Sequence, residues 1–205
     1  MILHTIEIAV RSFGVCQVNQ VADYIHELNT TEAKPYIEQL TAAGVLVRVR
    51  ALFNDGNPHD VLVHRDNLPL LEQAADGALS ALRTTFLSPF DSVFWPRRRD
   101  VQIWGFRQAL EAYLPEPKRQ YGYFCLPILH HDRLVGRFDP KLERATGLLR
   151  LKALYLEPDA PPVPEMMASI AAAMRDFMAF HSARELIVER SDPPEAGDRL
   201  LAALS

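Results

Sequence analysis

The stretch VLVRVRALFNDGNPHDVLVHR, residues 45–65, decides the reading of the first part of the chain. Apolar and polar side chains alternate on both sides of a turn-rich centre, which is the pattern of strands with one buried face. Asp55-Gly56 supplies a hairpin turn between them. Working back toward the N-terminus, three helical patterns precede this hairpin. Residues 1–11 place Ile2, Ile6 and Val10 at helical spacing, and Gly14 ends the run. Residues 17–28 align Val18, Val21, Ala22, Ile25 and Leu28 on one face. Asn29-Thr30-Thr31 offers capping oxygens for a third helix over 32–43. Pro35 falls in its first turn, Ala33, Ile37 and Leu40 face inward, and Gly44 ends it. Three helices followed by a β-hairpin is the element order of a winged helix.

Beyond the hairpin, residues 68–83 read as a connecting helix, and LSPFDSVFWPRRRD (87–100) as a turn segment that joins apolar rings to three arginines. Residues 101–113 read as a short helix or a helix plus strand. YGYFCLPIL, LVGRFDPKLER and LLRLKALYLEP then read as strands joined by tight turns. APPVPE is a hinge, and Met167, Ile170, Met174, Phe177 and His181 mark one face of a helix at 165–182. ELIVER reads as a last strand. The expected fold class is α+β. A winged helix covers 1–66, and a connecting helix and turn segment 67–100. A small antiparallel β-sheet or barrel-like unit with a C-terminal helix covers 101–190, and an acidic tail 191–205.

Composition excludes several classes. Of the 205 residues 48% are hydrophobic and 23% charged, which suits a globular chain with a real core. Two distant cysteines do not make a disulfide framework. The seven scattered histidines lack zinc spacing, so no metal site is expected. No stretch approaches a membrane span, and the N-terminus is a poor signal peptide, so the expected location is cytoplasmic. Glycine-rich phosphate loops and nucleophile triads are absent from the sequence, and no cofactor or catalytic residue is assigned.

Charge is unevenly distributed. Residues 83–150 carry 12 Lys and Arg against 7 Asp and Glu, whereas the rest of the chain carries 10 against 19. The middle of the chain is therefore its anion-facing part. The third helix presents Glu32 and Glu38 beside Lys34 and Gln39, which makes it a poor groove reader. Arg48 and Arg50 share one face of a hairpin strand. Arg97, Arg98, Arg99, Lys118, Arg119, Arg133, Arg137 and Lys141 recur among Trp, Tyr and Phe, a combination that suits a nucleic-acid surface. These ten cations are the candidate DNA contacts. A solvated strand face and core aromatics are the competing reading. Asp91 and Asp139 read as turn or cap residues rather than catalytic bases.

LSPFDSVFW, the PKRQYGY-x-x-LP-x-L-H run and the LVGR-x-D-x-K run resemble the C-terminal half of the YcaQ/AlkZ-type crosslink-repair DNA glycosylases. The resemblance runs from Ile2 into the 165–182 helix. It implies a bacterial, metal-independent enzyme family that hydrolyses the N-glycosidic bond of alkylated purines, including those in interstrand crosslinks. It also implies tandem winged helices, a C-terminal β-barrel-like unit, and a catalytic Gln-x-Asp or Gln-x-Gln motif. This sequence contains no such motif; Gln17-Val18-Asn19 comes nearest and sits at a helix start. Pro96 stands where the family usually has an acidic residue, which would free Arg97 from an ion pair. The expectation is a non-catalytic or truncated member that binds double-stranded DNA, with an N-terminal partner supplying the catalytic motif. An interaction module or decayed fragment without DNA affinity, and an active glycosylase with a displaced site, remain open.

Overall fold

A computed structural model describes residues 1–95 and 98–205. The chain divides into two compact units, one of residues 1–80 and 90–107, the other of residues 81–89 and 108–205. The α+β arrangement is as expected, with helices and two separate sheets.

In the first unit, α1 (Ile2–Phe13) buries Ile6, Ala9, Val10 and Phe13, the i, i+3, i+4, i+7 stripe of a helix with one apolar face. Helix α2 (Val18–Ile25) ends at His26 in the left-handed region, three residues short of the expected Leu28. Helix α3 (Thr30–Ala42) starts two residues earlier than expected because Asn29 is its cap. The Asn29 Oδ1 accepts from the N–H groups of Thr31 and Glu32 at 2.9 and 3.0 Å. The Glu32 carboxylate accepts from Asn29 N at 2.8 Å, closing a capping box. The strand β1 (Val15–Cys16) joins β2 (Leu46–Leu52) and β3 (Pro58–His64) in the sheet order β1-β3-β2. The hairpin pairs Leu46 with His64 and Leu52 with Pro58, as an antiparallel pair joined through Asp55-Gly56. The connecting helix α4 is shorter than the expected 68–83 and runs only over Leu68–Ala75. Asp91 accepts from Val93 N at 2.9 Å and starts a single 3-10 turn over Ser92–Phe94. Helix α5 (Arg99–Trp104) follows.

The second unit is built on a curled sheet of β4 (Thr84–Phe86), β5 (Leu126–His130), β6 (Arg133–Glu143), β7 (Leu148–Leu156) and β8 (Glu185–Val188), in that order. Strands β4 to β7 pair antiparallel. The expected antiparallel sheet is present from β4 to β7, and β8 and the short β9 (Ser191–Asp192) add to it by pairing parallel to β7. The chain reaches β8 through α6 (Pro164–Phe180), and a crossover helix is what parallel pairing requires. The acidic tail expected over 191–205 is instead β9 followed by helix α7 (Glu195–Leu204). Its acidic residues face water, while Ala196 and Leu200 are completely buried in a core with Phe138, Leu151, Met167, Ile170 and Met174.

Candidate functional site

The β6–β7 hairpin shifts register between Asp139 and Pro140. That irregularity turns the Asp139 carboxylate toward the loop that precedes β5. Its Oδ2 accepts from Tyr123 N at 2.7 Å and its Oδ1 from Phe124 N at 3.1 Å. Glu111, in the 3-10 turn Glu111–Tyr113, holds the preceding stretch of the same loop. Its Oε1 accepts from Gln120 N at 3.0 Å, and its Oε2 from Tyr121 N at 2.7 Å and Gly122 N at 3.1 Å. Two buried carboxylates thus bind five successive backbone N–H groups and fix the path of residues 120–124. Burial alone would raise the Glu111 pKa, but the three N–H groups and the nearby Arg137 outweigh it and hold the carboxyl below its ordinary value. Gly122 sits at φ 153°, and any Cβ there would collide with the Asp139 carboxylate, so the tight approach needs glycine.

Behind this loop lies Arg137, only 1% exposed. Its guanidinium pairs with Glu157 at 2.7 Å and stacks on the Tyr121 ring at 4.1 Å. Tyr121 in turn meets Tyr155 edge to face at 5.3 Å, and Arg190 bonds the Tyr155 hydroxyl. On the outer side Tyr123 is 56% exposed and carries the Arg119 guanidinium over its ring at 5.0 Å. Arg119, Tyr121, Tyr123 and Arg190 line an open cleft of about 690 Å³, with Lys141 and Lys152 on its strand side. Its cations are Arg119, Lys141, Lys152 and Arg190, against Glu116 and the already committed Asp139. Sequence reasoning found Arg119 and Lys141 but missed Lys152, Arg190 and the organising Glu111. Nothing in the local sequence marks a buried glutamate in a one-turn helix.

The other candidate cations fall into three groups. Arg99 and Arg137 are not available to a phosphate, which corrects their placement among the DNA contacts. Arg99 is 4% exposed. It donates to Phe13 O at 3.0 Å, Val15 O at 2.8 Å and Gln20 Oε1 at 3.2 Å. It therefore satisfies carbonyls at and just beyond the end of α1, against the Phe13 ring. Arg48, Arg50 and Arg133 are exposed to a degree but face carboxylates, with Arg48–Glu38 at 2.5 Å, Arg50–Asp60 at 4.0 Å and Arg133–Asp159 at 2.5 Å. Arg98, Lys118 and Lys141 are exposed and form no salt bridge among the described residues. Pro96 and Arg97, and the expectation that Pro96 releases Arg97, lie outside the described residues.

No catalytic constellation accompanies the cleft among the described residues. Gln17 is the cap of α2, and its N–H is held by Gln20 Oε1 at 3.0 Å. Cys16 and Cys125 are free and buried, and burial pushes each thiol up to about 12, so neither is a thiolate at neutral pH. No group of three or more His, Cys, Asp or Glu is placed to hold a metal ion among the described residues. No helix among them is long and apolar enough to cross a membrane.

Residues 4–180 match the family model of the DNA glycosylase AlkZ-like proteins. The chain belongs to the AlkZ-like DNA glycosylase family. No solved structure matches it. The match covers the hairpin unit and most of the cleft-bearing unit, and it stops at the end of α6. In this member of the AlkZ-like family, Arg190 and α7 lie beyond the matched residues.

Proposed function

We propose that this AlkZ-like protein is a DNA-binding member of its family that does not hydrolyse a glycosidic bond by itself. The observation that carries the reading is the cationic, tyrosine-lined cleft of the second unit. In a family of DNA glycosylases, a cationic surface beside exposed rings is suited to the phosphate backbone. Arg98 in the first unit and Lys118 in the second, exposed and in no salt bridge among the described residues, are the cations we assign to duplex phosphates, and the cleft cations are assigned to a DNA strand. The winged-helix reading of the first unit is consistent with its element order, although Glu32 and Glu38 argue against α3 as the groove reader.

Hydrolysis needs a group free to position water and to stabilise the cationic sugar. Glu111 and Asp139 are the buried carboxylates beside the cleft, and their oxygens are taken up by backbone N–H groups. We therefore assign the chemistry to a Gln-x-Asp-type element supplied from outside these residues, in an N-terminal partner, with alkylated or crosslinked DNA as the substrate. The test is a titration of the purified chain against a short duplex at about 50 and 200 mM salt, with released base measured in the same samples. Salt-sensitive binding without base release is expected. Base release from alkylated duplex by this chain alone would refute the non-catalytic assignment. Absence of binding at either salt would leave the interaction-module reading in its place.

A further inference from the structure

The cleft has features that a duplex lying across it does not use. Its volume of about 690 Å³ is that of a site for one small ligand, typically about 300–1,000 Å³. A rigid double helix bridges such a cleft, whereas a single nucleotide enters it. Tyr123 projects into solvent although a free tyrosine ring gains by burial. It does so from a backbone that cannot relax, because its N–H is held by Asp139 and the preceding Gly122 has no room for a side chain. Arg119 lies on the ring, and its Nε is itself anchored to Leu114 O at 3.0 Å. The result is an exposed aromatic ring on a held backbone with a cation over one face.

Three further cations line the cleft and come from separate elements. Lys141 is on β6, Lys152 on β7 and Arg190 between β8 and β9. Lys152 shares Glu189 at 3.1 Å, and Arg190 is oriented by the Tyr155 hydroxyl. Lys141 forms no salt bridge among the described residues. A ring that offers a π-face and a wall that offers positive charge is the combination by which unpaired nucleotides are held without sequence preference. The base stacks and the phosphate pairs.

We propose that this cleft is a site for an unpaired nucleotide of a DNA strand, its base on Tyr123 and its phosphate toward Lys141, Lys152 and Arg190. The proposal rests on the DNA-binding reading above and specifies the form of DNA that this cleft takes. Arg98 and Lys118, the cations assigned to the duplex, do not line this cleft, so the two forms of DNA can be titrated independently.

The experiment is fluorescence anisotropy of the whole chain with a labelled oligothymidylate of about eight nucleotides and, separately, a duplex of the same length. Wild type, Tyr123→Leu, Tyr123→Phe and Lys141→Gln are compared, with urea unfolding to confirm that each variant folds. Tyr123→Leu is expected to weaken oligothymidylate binding by about tenfold while leaving duplex binding within about twofold, and Tyr123→Phe to keep the affinity of wild type. Lys141→Gln is expected to flatten the salt dependence for the oligothymidylate by about 0.7 in log–log slope. An unchanged oligothymidylate affinity in a folded Tyr123→Leu, an equal loss on duplex and single strand, or a wild type that binds duplex but not oligothymidylate would each overturn the proposal. A wild type that binds neither would overturn the DNA-binding reading itself.

Discussion

Replacing Glu111 by glutamine is expected to destabilise the protein by about 3 kcal/mol, a value that follows from three distances. The carboxylate accepts from Tyr121 N at 2.7 Å, Gln120 N at 3.0 Å and Gly122 N at 3.1 Å. Hydrogen bonds to a charged group contribute about 1.5–3 kcal/mol each, and neutral ones about 1. Glutamine keeps one carbonyl oxygen. If that oxygen stays on Tyr121 and Gly122, both bonds weaken from charge-assisted to neutral, at about 0.5–1 kcal/mol each. The amide NH₂ then faces the Gln120 N–H, and a donor against a donor costs about 1–3 kcal/mol. The assay is urea unfolding of wild type and Glu111→Gln, read by circular dichroism. It has a second arm in pH. The folded-state pKa of Glu111 lies below its unfolded value. The stabilisation is therefore complete above the unfolded pKa of about 4.3 and is lost as pH falls through the lower folded value. Protonated glutamic acid resembles glutamine, so the gap between the two proteins should close with acid. A difference under about 1 kcal/mol at neutral pH, or one that stays constant down to acid pH, would refute the assignment of Glu111 as the fastening of the loop.

Arg99→Leu should cost about 2–5 kcal/mol, because it removes the guanidinium from the acceptors Phe13 O and Val15 O, while Gln20 Oε1 keeps the Gln17 N–H; a change within about 0.5 kcal/mol of wild type, as expected for an exposed arginine, would return Arg99 to the surface. Gly136→Ala should disrupt the β6–β7 pairing, since the new Cβ meets the Tyr155 carbonyl and backbone cannot give way; normal expression and unfolding midpoint would count against that packing. Leu200→Ala should destabilise by about 2–5 kcal/mol because its side chain is wholly buried; a neutral result would mean that residues 195–205 are the loose tail that their acidic composition suggests. Lys118→Gln should lower duplex affinity and reduce the salt slope by about 0.9, the release of one phosphate contact; an unchanged slope would remove Lys118 from the interface.

The parts of the fold that sequence made legible are those governed by local rules. The hairpin at 45–65 was readable because alternating apolar residues flank an Asp-Gly turn, whereas its register, with Leu52 opposite Pro58, is not the one a two-residue Asp-Gly turn would set. Helix α3 was readable because Asn29-Thr30-Thr31 offers capping oxygens just before its apolar stripe, while the Glu32 half of the capping box, which starts the helix at Thr30, was not read. Where tertiary context decides, the same rules mislead. Pro193, Pro194, Glu195 and Asp198 give residues 191–205 the composition of a tail, yet Ala196 and Leu200 are four apart and both wholly buried. Strand β6 shows no alternation, since Leu134 through Asp139 are buried without a break. The arginine and aspartate inside that run are the residues that organise the cleft. The direction in which Glu185–Val188 pairs with β7 is set by the crossover helix and leaves no mark on the strand's own sequence.

The cations show the same limit in a sharper form. Arg98 and Arg99 are adjacent, of one chemical type, and indistinguishable by any count of charge. One is exposed at φ 67° and the other lies beneath the surface with its guanidinium on two carbonyls. What separates them is the start of α5, which turns Arg99 back toward the end of α1. Arg137 and Lys141 lie four residues apart on one strand, with the same contrast. Burial converts an arginine from a candidate ligand contact into a fastening, because desolvation must be repaid by fixed acceptors. A basic run therefore overstates a binding surface wherever the fold has unpaired carbonyls to satisfy. Here that correction removes Arg99 and Arg137 from the surface, and the cleft gains Lys152 and Arg190, which lie outside the basic middle segment and were found only through the strands that carry them there.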